Sequence, residues 1–256
     1  MKETRKREFP LLYSKEKKLF NIVVHMSDDP GSMRAILEAL EEKVNLIGTS
    51  CYTLSDGTAM FTAFAEALSQ DETASTLKGA LGSLDTALET EVGEGKGGLL
   101  VDTFHTGIQV GRDEYLLMRR EGLSGVFDHI VKLFGSGGEV LLHEEGRALG
   151  RDDAQRRISE LGEDVAANES AYLGRALTPQ GWGVVESSAK PGQTDYKVTV
   201  ADCFECSGEG GVRKGCDFVR GFYEGSVEVT RGREPKVEEV ACRLRGDDAC
   251  VFTIKV

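Results

Sequence analysis

The chain has 256 residues, 40% hydrophobic and 29% charged, with a formal net charge of −12. This is a globular composition for one large or two smaller domains, long enough to bury a core without staples. The acidic balance argues against a direct nucleic-acid surface, and with no run of ~18 apolar residues no membrane span is expected.

Residues 1–18 hold seven Lys/Arg and three Glu and are expected to be a solvated charged leader. They lack the apolar core of a signal peptide, so the expected location is cytoplasmic. Leu19 to His25 reads as a strand, and Asp28-Asp29-Pro30-Gly31 as a turn and helix entry. Met33, Ile36, Leu37, Leu40 and Val44 recur at helical spacing. Ile47–Leu54 and Ala59–Phe64 read as strands around the hairpin residues Ser55-Asp56-Gly57. Leu77, Leu81, Leu84 and Leu88 fall on one helical stripe. The Gly-rich stretch over 91–97 resembles a linker.

Beyond it, Leu99–Phe104 and Tyr115–Met118 are expected strands. Leu123, Val126, Phe127, Ile130, Val131 and Phe134 make an amphipathic helix stopped by Gly135-Ser136-Gly137-Gly138. Glu139–His143 reads as a short strand, 151–173 as mostly helix, and Trp182–Glu186 and Tyr196–Asp202 as strands. A helix is expected over Gly215–Val229, followed by strands at Val237–Leu244 and Cys250–Val256 around Gly246-Asp247-Asp248. The expected class is α+β throughout: a ferredoxin-like βαββαβ domain, then an α+β zinc-containing ligand-binding domain.

Residues 19–90 resemble an ACT domain, a small regulatory module. The resemblance is carried by Asp28-Asp29-Pro30-Gly31 after a strand, the helix stripe, and Val44-Asn45-Leu46-Ile47 opening the next strand. It implies pairing into a homodimer, or an amino acid bound between two copies at Asp28, Gly31 and Asn45. A helix N-terminus suits a carboxylate. Asp28 as a plain helix cap and Asn45 as a turn residue are the bland alternatives.

The six cysteines are unevenly spread: Cys51 stands alone, while Cys203, Cys206, Cys216, Cys242 and Cys250 fall in the last 54 residues. In a reducing compartment such clustering points to metal or redox chemistry. Cys242 and Cys250 flank a turn, and on paired strands their thiolates reach one ion. Cys216 enters from a helix start, where a thiolate is favoured. Glu239 can complete a tetrahedral site, but three residues from Cys242 it points to the opposite face of a regular strand. A bulge is needed, or Cys203 or Cys206 supplies the fourth ligand.

Residues 98–256 resemble the vinyl-4-reductase, or predicted hydrocarbon-binding, domain family. The carriers are Asp202-Cys203-Phe204-Glu205, the run from Cys216 to Gly225, Glu239-Val240-Ala241-Cys242 and Gly246-Asp247-Asp248-Ala249-Cys250. The resemblance implies one zinc held by Cys216, Glu239, Cys242 and Cys250, as in phenol-sensing regulators, beside a small apolar pocket. Those regulators continue into an ATPase and a DNA-binding domain that have no counterpart here. Cys203-x-x-Cys206 is extra to the implied set, as a second metal or redox site, an exchanging ligand, or a pair of buried apolar residues. Trp182, Phe204, Phe218, Phe222 and Tyr223 are candidate pocket walls, with core packing the bland alternative. The expected function is a non-enzymatic sensor of a small hydrophobic or aromatic molecule. An enzyme or accessory factor acting on a tetrapyrrole is the runner-up, and a scaffold without ligand the third reading.

Overall fold

Phe20, Ile22, Val24 and Met26 alternate along one strand, so one face of it is apolar and must be covered. The computed structural model describes residues 11–110, 113–162, 173, 177–188, 193–208 and 211–256. The chain is mixed α+β with antiparallel sheets and divides into two compact units, Met1–Leu116 and Leu117–Val256.

The first unit runs β1 (Leu12–Tyr13), β2 (Leu19–Ser27), α1 (Ser32–Leu40), β3 (Val44–Thr53), β4 (Thr58–Ala67), α2 (Ala74–Gly82) and β5 (Ala87–Glu94). β6 (Leu99–Leu100) pairs with β1, and β7 (Ile108–Val110) pairs with β8 (Asp113–Tyr115). The long strands form one antiparallel sheet in the order β3-β4-β2-β5. The alternating β2 residues pack with Phe61 and the alanines of β4, with Ile36 and Leu40 of α1, and with Leu77 and Leu81 of α2. Gly31 admits the chain to α1 at φ 101°, a left-handed conformation that favours glycine.

Several expectations are corrected here. The stretch read as a linker over 91–97 continues β5 through Glu94, because Val92 faces the core. The described part of the leader is tied to the unit: Leu12–Tyr13 pairs with Leu99–Leu100, and Lys17 bonds Glu66 at 2.6 Å. Residues 1–10 of the leader lie outside the described residues. Leu84 and Leu88 lie beyond the end of α2, and Leu88 is an exposed residue of β5. The strand expected over Leu99–Phe104 stops at Leu100, and that over Tyr115–Met118 is displaced to Asp113–Tyr115.

The second unit contains α3 (Arg120–Phe134), α4 (Ser136–Leu161), β9 (Val184–Ser187), β10 (Asp195–Ala201), α5 (Asp217–Arg231), β11 (Lys236–Ala241) and β12 (Cys250–Lys255). Short 3-10 turns sit at Phe204–Cys206 and Arg243–Arg245. The sheet order is β11-β12-β10-β9, and Tyr196, Val198, Val200, Phe252 and Ile254 of its inner face join one core with Val219, Phe222, Tyr223 and Val227 of α5.

Glu139–His143 is helix, not strand. Gly135 ends α3, but a new helix starts at the next residue, and a short apolar run such as Val140-Leu141-Leu142 is ambiguous by periodicity. The helix expected over 151–173 is observed to Leu161, and most of its remainder lies outside the described residues. Glycines decide how α4 meets α5. A Cβ at Gly146 or Gly150 would strike the carbonyl of Phe218 or Phe222, and one at Gly221 or Gly225 the carbonyl of His143 or Arg147. The two Gly-x-x-x-Gly pairs interleave and bring the backbones into contact.

Candidate metal centre

Four places in the second unit deliver five thiols to one point. Cys203 and Cys206 bracket the 3-10 turn, Cys216 caps the N-terminus of α5, Cys242 follows β11, and Cys250 opens β12. Cys203, Cys216, Cys242 and Cys250 are buried and Cys206 is partly buried.

The strand-face conflict between Glu239 and Cys242 is resolved by a bulge. Glu239 pairs with Phe252 and Ala241 with Val251, so the register slips at Val240 and Val240 turns outward. The slip returns Cys242 to the face of Glu239 and places it across from Cys250. Asp247 then fixes the turn by accepting the Cys242 amide at 2.7 Å.

The Cys206 sulfur lies 3.1 Å from that of Cys216, 3.4 Å from Cys250 and 3.9 Å from Cys242. Cys216 is 3.6 Å from Cys250, 3.8 Å from Cys242 and 3.9 Å from Cys203. A tetrahedral ion with bonds of ~2.3 Å to sulfur has edges of ~3.8 Å, so these separations fit one ion. Two overlapping donor groups satisfy this, Cys203, Cys206, Cys216 and Cys250, or Cys216, Glu239, Cys242 and Cys250. The cluster can therefore hold a metal ion. Without one, hydrogen bonds from Cys203 and then Cys216, Cys242 and Cys250 hold the Cys206 thiol low. Burial pushes the Glu239 carboxyl up, against the donors around it.

Behind the thiols lies a polar network that sequence reasoning missed. Glu205, inside the Cys-x-x-Cys, is fully buried and accepts the Phe218 and Val219 amides at 3.2 and 2.9 Å, which caps α5. Burial pushes its carboxyl up to about 8, against the pull of the Val219 amide, Arg213 and the Phe218 amide. Arg213 is also buried and clamps the turn to α3, bonding Asp128 at 2.7 Å, the Ser124 hydroxyl at 2.8 Å and the Glu205 carbonyl at 2.7 Å. Nothing in the spacing marks Arg213, and Glu205 stands out in the sequence only as part of a motif.

The five aromatic candidates are brought together. Trp182 stacks near Phe222, Phe204 and Phe218 at centroid distances of 4.5, 5.1 and 6.2 Å. Phe222 leads to Tyr223 at 6.1 Å. Phe127 and Phe252, not singled out from the sequence, extend the run at 5.0 Å from Phe218 and 5.2 Å from Tyr223. The Phe204 amide donates to the Trp182 carbonyl at 3.0 Å, which ties the aromatic set to the thiol-bearing turn. The Tyr223 hydroxyl is buried with no partner among the described residues, and burial raises its pKa well above the ordinary value.

In the first unit, Asp28 does not cap α1; it accepts the Thr53 hydroxyl at 2.8 Å. Asn45 donates to Glu66 at 3.1 Å. Thr53 ends β3 and Asn45 sits near its start, so a single copy keeps Asp28 and Gly31 well apart from Asn45.

Residues 196–256 match the vinyl-4-reductase domain, a span that holds all five clustered cysteines. No curated protein matches the chain. Among solved structures, the chain is similar to the phenol-responsive sensory domain of the transcription activator PoxR with phenol, at 15% identity and TM-score 0.48, over 57% of this chain and 79% of that one. It is also similar to a vinyl-4-reductase family protein from Methanocaldococcus jannaschii, at 19% identity and TM-score 0.34, over 51% and 77%. The ACT domain of a GTP pyrophosphokinase from Chlorobium tepidum matches at 17% identity and TM-score 0.26, over 30% of this chain and 97% of that one.

Proposed function

We propose that the chain is a cytoplasmic, non-enzymatic sensor whose second unit binds a small hydrophobic or aromatic molecule in a pocket stabilised by zinc. The vinyl-4-reductase domain match and the buried thiol cluster support the reading. Four protein ligands fill a tetrahedral zinc and mark a structural ion, since a catalytic zinc keeps a position for water. The observation that carries the ligand class is the Tyr223 hydroxyl, one buried polar group without a partner at the end of a run of aromatic rings. Such surroundings suit a ring bearing a single polar group. In the first unit, the order β-α-β-β-α-β supports a ferredoxin-like ACT module. Its edge strands β3 and β5 support pairing into a homodimer. An amino acid would then sit between Asp28 and Gly31 of one copy and Asn45 of the other.

Trp182 is the chain's one tryptophan and reports directly on the aromatic set. Titration with phenol and its alkyl homologues should change Trp182 fluorescence saturably and raise the melting temperature of the second unit. Tyr223→Phe should weaken binding roughly five-fold, the worth of one hydrogen bond. A linear, unsaturated response across the series would sink the proposal.

A further inference from the structure

Five thiols compete for an ion that takes four ligands. The resemblance noted from sequence puts Glu239 among the four and leaves Cys206 out. The geometry of this chain orders them differently. We propose that the ion is held by Cys206, Cys216, Cys242 and Cys250, and that Glu239 positions Cys216 without touching the ion. The inference rests on the metal-binding reading above.

Cys206 makes three short sulfur contacts, at 3.1 Å to Cys216, 3.4 Å to Cys250 and 3.9 Å to Cys242. The edges from Cys216 to Cys250 and Cys242 are 3.6 and 3.8 Å, and the last edge, Cys242 to Cys250, is within 4.8 Å. These six separations describe a tetrahedron close to the ~3.8 Å edge that four thiolates around one ion require. Small adjustments complete it.

Glu239 is engaged elsewhere. Its two oxygens accept the Cys216 amide at 3.3 and 3.2 Å, and one of them also accepts Arg245 at 3.2 Å. Arg245 is itself anchored on the Lys214 carbonyl at 3.1 Å. The carboxylate thus holds the chain entering α5, at the residue whose sulfur binds, which is the work of an outer-shell partner. Where thiol and carboxylate compete for an ion of zinc's softness, the thiolate is the better match. Cys203 stays a thiol, 3.9 Å from Cys216.

Zinc-edge X-ray absorption on the intact zinc-loaded chain tests this without any substitution. Four sulfurs at ~2.3 Å are expected. Three sulfurs with one oxygen at ~2.0–2.2 Å overturn the ligand set while leaving the metal-binding reading standing. A chain that takes up no zinc overturns both. Cobalt(II) substitution adds the residue assignment. Glu239→Gln should keep the full sulfur-to-cobalt charge-transfer band while metal affinity falls ~10–100-fold, as for an outer-shell residue. Cys206→Ser should lose about a quarter of that band, one thiolate in four. Cys203→Ser should leave it unchanged. A band that drops with Cys203→Ser, or that survives Cys206→Ser, refutes the assignment.

Discussion

The two units bury different chemistry. The main core of the first is made of Phe, Ile, Val, Met, Leu and Ala, with few buried polar groups, such as Asn21 bonded to Asp102 at 3.1 Å. The core of the second contains four buried cysteines, and against it lie Glu205, Arg213 and Ser124. An apolar core gains stability from area, in many small and replaceable increments. A core of thiols and paired charges gains it from a few specific partners, and loss of one leaves the others exposed to their desolvation cost. The first unit should therefore tolerate change gradually, and the second should fail at single points.

Removing the ion should have the largest effect. A structural zinc couples to folding with apparent free energies on the order of 10 kcal/mol, comparable to the whole stability of a domain. Calorimetry of the full chain with and without a chelator should show the transition of the second unit lost or greatly lowered, and that of the first unchanged. If both transitions fall together, the contrast between the units is wrong.

Arg213→Ala comes next. It deletes a buried cation that bonds Asp128, Ser124 and the Glu205 carbonyl. Breaking a buried pair by removing one partner costs about 3–5 kcal/mol. Burial holds the Glu205 carboxyl at about 8, so at neutral pH much of it carries a proton, and the loss falls mainly on Asp128. That places the cost toward the lower end, about 3 kcal/mol. Urea unfolding should show a lower midpoint for the second unit alone. A change near zero would show that water replaces the clamp.

The same contrast explains what the sequence made legible. The first unit follows period-two and helical patterns, so its order of elements could be read as far as α2; only β5 was missed, because its glycine and glutamates masked the strand. The ion site was legible as a cluster of cysteines, since thiol spacing around a turn is a strong signal. Its internal choice was not. The bulge at Val240 and the inward swing of Cys206 depend on register and tertiary packing, which one-dimensional spacing does not encode. Arg213 and Glu205 were invisible as a pair because their partners lie on α3 and α5. The glycines of α4 and α5 likewise gain meaning only once the two helices cross.

The smallest effect should come from the first unit, at the start of α2. Thr73 accepts the Thr76 amide at 3.2 Å, while the Thr76 hydroxyl accepts the Thr73 amide at 2.9 Å, a reciprocal cap. The helix has nine residues, too few to persist without its packed face, so Leu77 and Leu81 hold it whether or not the cap survives. Thr73→Ala removes one hydrogen bond from an amide that water can reach. The loss should be about 1 kcal/mol, and Thr73→Ser should recover most of it because serine caps at least as well as threonine. Both changes should shift the unfolding midpoint of the first unit and leave metal content untouched. A loss of several kcal/mol would mean that the first unit, too, depends on single contacts.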